Sequence, residues 1–191
     1  MLTNLSTRRE AEAPGLVELL GECHERIRRF VALARQAASR EDAPVDQVVQ
    51  ACADVERYFT EALPLHVADE EESVEPRLRG LSRSVDDALD KMAHQHQQHL
   101  PKLESLLRAT ARVRLEPHDE TARGELATAA VILETAFEEH LALEESAIFP
   151  AIRELLSSQI QDLIIDELRG RRRFDSPQGG STSPAVLEDE P

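Results

Sequence analysis

His66-x-x-x-Glu70-Glu71 followed by Pro76, and His140-x-x-x-Glu144-Glu145 followed by Pro150, write one pattern twice with its internal spacing kept. Each copy is preceded by an apolar segment that carries histidine, around His24 and then around His94, His96 and His99. Residues four apart share a helix face, so His66 with Glu70, and His140 with Glu144, can each present one nitrogen and one oxygen to a common point. Imidazole with carboxylate is a donor set for iron, manganese or zinc. Repeated in the same order, it implies a two-fold metal site rather than a scatter of surface residues.

The elements that must position these residues read as helices. After Pro14, the residues Leu16, Leu19, Leu20, Cys23, Ile27, Phe30, Val31 and Ala34 recur at three- and four-residue steps, which predicts a first helix ending near residues 40–43. Pro44 opens a second helix whose stripe runs from Val48 to Leu78 and stops at Gly80. Ser82 or Ser84 starts a third, with Val85, Leu89, Met92, His96, Leu103 and Leu107 along one face. A loop over 115–121 leads to a fourth, from Leu126 to Ile152, and a shorter fifth is expected over 158–169.

Short connections between four helices of similar length make an up-down-up-down four-helix bundle the expected all-α fold, with a short C-terminal helix against one end. The domain is placed at 14–170, with a flexible N-terminus over 1–13. Residues 175–191, rich in Ser, Pro, Gly and acidic side chains, read as a disordered acidic tail. Helices one and two are echoed by three and four: His24 to His66 spans 42 positions and His96 to His140 spans 44. Pro64, Pro76, Pro101 and Pro150 fall inside these helices, where each removes a backbone bond and bends the axis. Such bends are expected to aim the ligands inward.

Composition supports this frame. The chain has 191 residues, enough for one domain of ordinary size, and only 3% of them are aromatic. Its formal charge of −15 repels phosphate backbones and anionic membranes, so neither nucleic acid nor a membrane is an expected partner. Cys23 and Cys52 are far apart, show no CxxC spacing and read as small buried residues in a reduced setting. No uncharged run reaches the length of a membrane span, and no export signal is recognised at the start, so a cytoplasmic location is expected. The basic run from Arg169 to Arg173 reads as charge complementing a helix end.

The set made of Cys23-His24-Glu25-Arg26-Ile27, His66-x-x-x-Glu70-Glu71, His96, and His140-Leu-Ala-Leu-Glu144-Glu145-Ser-Ala-Ile-Phe-Pro150 resembles the hemerythrin-like HHE cation-binding domain, over roughly residues 14–156. The segment from His140 to Pro150 is its most specific part. A ferritin-like di-iron bundle is disfavoured, because that pattern is Glu-x-x-His and here the histidine comes first with a gap of four. The resemblance implies that His24, His66, His96 and His140 are terminal ligands of a non-haem di-iron centre, with Glu70 and Glu144 bridging. With an oxo or hydroxo bridge each iron then reaches five ligands and keeps one position open for a small molecule. Zinc and manganese fit the same donors.

The chain departs from the oxygen-carrying members of that family, which have a further histidine four residues on in helix three. Position 100 is leucine and position 98 is glutamine. His99 can reach the site from three residues after His96. If it ligates, one iron is closed; if it does not, both stay open and redox chemistry gains. His94 and His118 are expected to face solvent. Glu71 and Glu145, turned about 100° from their neighbours, are expected at the surface or behind the ligands. Without metal, burying four histidines and two glutamates would cost several kcal/mol per unpaired charge, which favours the metal reading over a set of ordinary core histidines.

The expected function is a non-haem di-iron protein that binds or senses dioxygen, peroxide, nitric oxide or iron. One alternative is a di-iron redox enzyme acting on peroxide or on nitrosative and oxidative damage, and another is a regulatory protein that the metal merely staples. No catalytic acid, base or nucleophile stands outside the ligand set. The expected partner is a small diatomic or peroxide ligand.

Overall fold

The computed structural model describes residues 14–40 and 43–174. The expected flexible N-terminus and acidic tail lie outside the described residues.

Five helical rods follow one another. Helix α1 is Leu16–Ser39. Helix α2 covers 45–78, helix α3 is Arg83–Leu115, helix α4 covers 120–155 and helix α5 is Ser158–Phe174. Rod α1 packs on α2 and α4, and α3 packs on the same two, so the first four close a square of antiparallel neighbours. This is the expected all-α bundle. Pro44 stands just before α2, where its fixed φ suits a helix entry. Asp119 caps α4 by accepting a hydrogen bond from the Thr121 backbone N–H at 2.9 Å. Gly80, at φ +84°, makes the turn out of α2 and donates its N–H to Asp86. The fifth helix runs past the expected end at residue 169 to Phe174.

Rods α2 and α4 are not uniform. Each α-helix widens into π-helical turns, Tyr58–Ala62 and Asp69–Val74 in α2 and Glu144–Ile148 in α4. The N–H groups of Leu63, Glu75 and Phe149 donate five residues back, to the carbonyls of Tyr58, Glu70 and Glu144. In each case the next residue is proline: Pro64, Pro76 and Pro150. Proline has no N–H to donate and its ring crowds the carbonyl four residues back, so a widened turn before it relieves that conflict. The expectation of local bends therefore takes the form of wide turns at three prolines. Pro101 differs: it sits within the unbroken α-helix α3, and no widened turn precedes it.

The apolar interior is split in two along the bundle. One cluster joins Ile27 and Val31 of α1 to Val55 and Phe59 of α2, Leu106 of α3 and Leu133 of α4. The other joins Leu16 and Leu20 to Val74, Leu89, Ile152 and Ile164, the last supplied by α5. On every bundle helix the candidate ligands fall at or beside the junction between the segment that serves one cluster and the segment that serves the other. Polar side chains thus occupy one layer midway along, sealed by hydrocarbon on both sides.

Candidate metal centre

All six expected ligands enter that layer and are buried: His24 from α1, His66 and Glu70 from α2, His96 from α3, His140 and Glu144 from α4. Two sets of converging donor atoms result, His24, His66, Glu70 and Glu144 in one, and Glu70, His96, His140 and Glu144 in the other. The carboxylates belong to both. Glu70 turns Oε1 to His66 Nε2 at 3.1 Å and Oε2 to His96 Nε2 at 3.3 Å. Glu144 turns Oε1 to His140 Nε2 and Oε2 to His24 Nε2, both at 2.9 Å. Each carboxylate therefore gives one oxygen to the histidine pair of the first repeat and one to that of the second.

These close approaches are not hydrogen bonds. All four oxygens of Glu70 and Glu144, with Nε2 of His24 and of His66, are buried and have no hydrogen-bond partner. Buried polar atoms left unpaired are costly, and here they are collected around two points. A bound cation would satisfy them, so the donors present fit the implied metal.

The outer nitrogens of His24, His96 and His140 have partners, while Nδ1 of His66 is buried without one. His24 Nδ1 meets Glu145 Oε1 at 2.9 Å, and His96 Nδ1 meets Glu71 Oε1 at 2.8 Å. The second glutamate of each Glu-Glu pair thus backs a histidine from the opposite repeat. Such a carboxylate fixes the ring's tautomer and raises its basicity toward a metal. Arg28 holds Glu145 in turn, at 3.0 Å. His140 Nδ1 lies 3.1 Å from Gln95 Oε1, a partner that sequence spacing gave no reason to single out.

His99 is also buried but belongs to neither donor set. Its ring stands beside His140, centroids 5.0 Å apart, and against Phe137 at 4.9 Å. His94 and His118 are exposed, as expected. Tyr58 stacks on Phe30 of α1 and belongs to neither donor set. Cys23 and Cys52 are buried free thiols, and burial followed by the nearby Glu56 carboxylate pushes Cys52 up to about 11. The basic run has a role beyond helix-end charge: Arg171 and Arg172 reach Asp69, the buried neighbour of Glu70.

Electrostatics prepares the layer for cations. Burial holds His66 down to about 3, lowers His96 against the pull of Glu71, and with His140 nearby brings His99 to about 4. Those imidazoles are neutral at pH 7, and for His66 and His96 that is the form that can coordinate a cation. Burial and the adjacent Glu144 raise the Glu70 carboxyl. Burial also presses Glu144 upward, but the His140 and His24 rings facing it prevail and hold it low. Of the two carboxyls Glu70 is therefore the one that holds a proton more readily, and a cation bound there competes with that proton. Calorimetric titration in buffers of different ionisation enthalpy should therefore show proton release on metal binding that grows as the pH is lowered; release that stays at zero would mean that Glu70 is already ionised.

Four antiparallel helices around a buried layer of four histidines and two shared carboxylates define a bundle protein with a cation site at its middle. The chain matches the hemerythrin HHE cation-binding domain over residues 15–152 and belongs to that family. Comparison with curated proteins gives no match. No helix among the described residues is long and apolar enough to cross a membrane.

Proposed function

We propose that the protein holds a non-haem di-iron centre and uses it to bind a small ligand of the dioxygen, peroxide or nitric oxide class. The observation that carries this reading is the division of each buried carboxylate between two histidine pairs. That division supplies two imidazoles and two carboxylate oxygens to each of two cations. Iron in this donor set, with an oxo or hydroxo bridge, would supply reversible redox and open coordination positions. The protein's own part is to hold six donors in place, keep His66 and His96 neutral and exclude bulk water with apolar clusters on either side.

The space beside the site points to the ligand class. A cavity of about 110 Å³ opens against His66, His96 and His140, walled by Leu63, Leu103 and Phe137. It exceeds the space needed for one water yet is far below the size of a pocket for an organic substrate. Its position beside three ligand histidines favours ligand binding over a purely structural staple.

Metal content per chain, together with the visible spectrum of the aerobic protein before and after anaerobic reduction and re-exposure to air, tests the reading. Two irons with a bridged-iron spectrum that bleaches on reduction are expected. A single zinc, or no metal after iron-replete expression, would defeat it. The equal donor count of the two halves, with His99 in neither, favours a second reading in which both irons react and the protein turns over peroxide. Peroxide turnover that vanishes in His140→Ala would select this redox reading over simple binding.

A further inference from the structure

Helix α5 begins beyond residue 152, where the family match ends, yet it grips the turn from which Glu70 projects. Asp69, fully buried, receives Arg171 Nη1 on Oδ1 at 2.8 Å and Arg172 Nη2 on Oδ2 at 2.6 Å. Arg171 also donates to Ser73 Oγ at 2.8 Å, so one guanidinium spans the wide turn from its first residue to its fifth. From the other side, Arg77 donates to the Ser73 carbonyl at 2.9 Å and pairs with Glu167 of α5. The matching turn in α4 has no such clamp in its sequence. The residue before Glu144 is Leu143, which packs against apolar neighbours where Asp69 stands in α2.

A π-helical turn is a departure from regular helix that its surroundings must hold in place. In α2 the hold is ionic and comes from α5. We propose that Arg171 and Arg172 are positioning residues: by clamping Asp69 they fix the turn so that Glu70 spans both cation positions, and α5 docking and metal occupancy reinforce each other. The inference rests on the two-cation reading above. Coupling of this kind is reciprocal, so whatever α5 contributes to metal affinity the metal returns to α5 docking.

Charge alone makes the opposite prediction, which gives the test its sign. Removing two cationic side chains from beside a cation site should tighten binding if their influence is only electrostatic. Loss of positioning should weaken it. The Arg171→Gln/Arg172→Gln double variant, loaded anaerobically with ferrous iron and challenged with a chelator, should show an affinity about 10-fold or more lower, with an altered visible spectrum after oxidation. Arg169→Gln, whose guanidinium lies 3.9 Å from Asp166 on its own helix, should behave as the unmodified protein.

A second measurement needs no variant. Tryptic cleavage within residues 169–173 of the unmodified chain, normalised to cleavage after Arg114 at the far end of α3, should slow about tenfold or more when ferrous iron is bound. Unchanged or tighter affinity in the double variant overturns the proposal, as does equal normalised cleavage with and without metal. Should the double variant not fold, the cleavage ratio decides. Failure of the unmodified chain to bind two irons would instead overturn the two-cation reading, and this inference with it.

Discussion

Glu70→Ala should empty both cation positions, whereas His140→Ala should spare one. The difference comes from geometry: Glu70 faces His66 with one oxygen and His96 with the other, while His140 serves a single position. Removing the carboxylate leaves three protein donors in place of four on each side, and it removes negative charge that offsets two cations in a buried layer. Metal analysis after iron-replete expression should fall from two per chain to below one. Glu144→Ala should match it, because Glu144 is shared in the same way. Glu61→Ala, at an exposed position, should keep both metals. Glu71→Ala is the informative intermediate. From spacing alone its loss would matter little, but the hydrogen bond to His96 Nδ1 makes a drop in affinity of about 10-fold the expected result. Retention of two irons by Glu70→Ala would show that its carboxylate does not bridge.

The second large effect is on stability. Metal binds the folded layer and not the dispersed ligands of an unfolded chain, so it stabilises by mass action, about 2.7 kcal/mol per site at a hundredfold excess over Kd. Two sites give about 5 kcal/mol. For a chain of 191 residues that should raise Tm by about 10–20 °C, read by thermal melts with and without ferrous iron under anaerobic conditions. The pH dependence has a definite sign. His66 titrates at about 3 in the metal-free fold, against about 6.5 when unfolded. Between those values the unfolded chain binds more protons, so His66 costs stability progressively as pH falls through the window. Glu70, raised in the fold, works the other way and gains stability as pH falls through its folded value. In the loaded protein protons compete with cations for all six donors, so the Tm difference between loaded and metal-free protein should shrink on acidification. A Tm that does not respond to metal at neutral pH would contradict the central claim.

The convergence of the candidate donors was legible because a helix converts spacing into direction. His-x-x-x-Glu states a shared face, and its repetition states two-fold order, so both carboxylates and their histidine partners could be read from the chain. His24 and His96 needed the family resemblance, since a single histidine on an apolar stripe announces nothing by itself. The wide turns were only half legible: Pro64, Pro76 and Pro150 signalled disturbance, yet Pro101 gave the same signal within an unbroken helix. The contacts of Glu71, Glu145 and Gln95 were not legible, because they depend on the rotation of one helix against another. Asp69 and Arg171 lie 102 positions apart, and no local pattern links them.

The exchange of supporting glutamates between the two repeats has a consequence for how such a centre can arise. Glu71 of the first repeat backs His96 of the second, and Glu145 of the second backs His24 of the first. Glu70 and Glu144 cross in the same sense. This is the isologous logic of a two-fold dimer, residue i meeting j as j meets i, carried within one polypeptide. Neither half supplies either donor set alone, and two copies of one half-bundle would supply both. The Asp69 clamp, with Leu143 at the matching position of α4, breaks that symmetry.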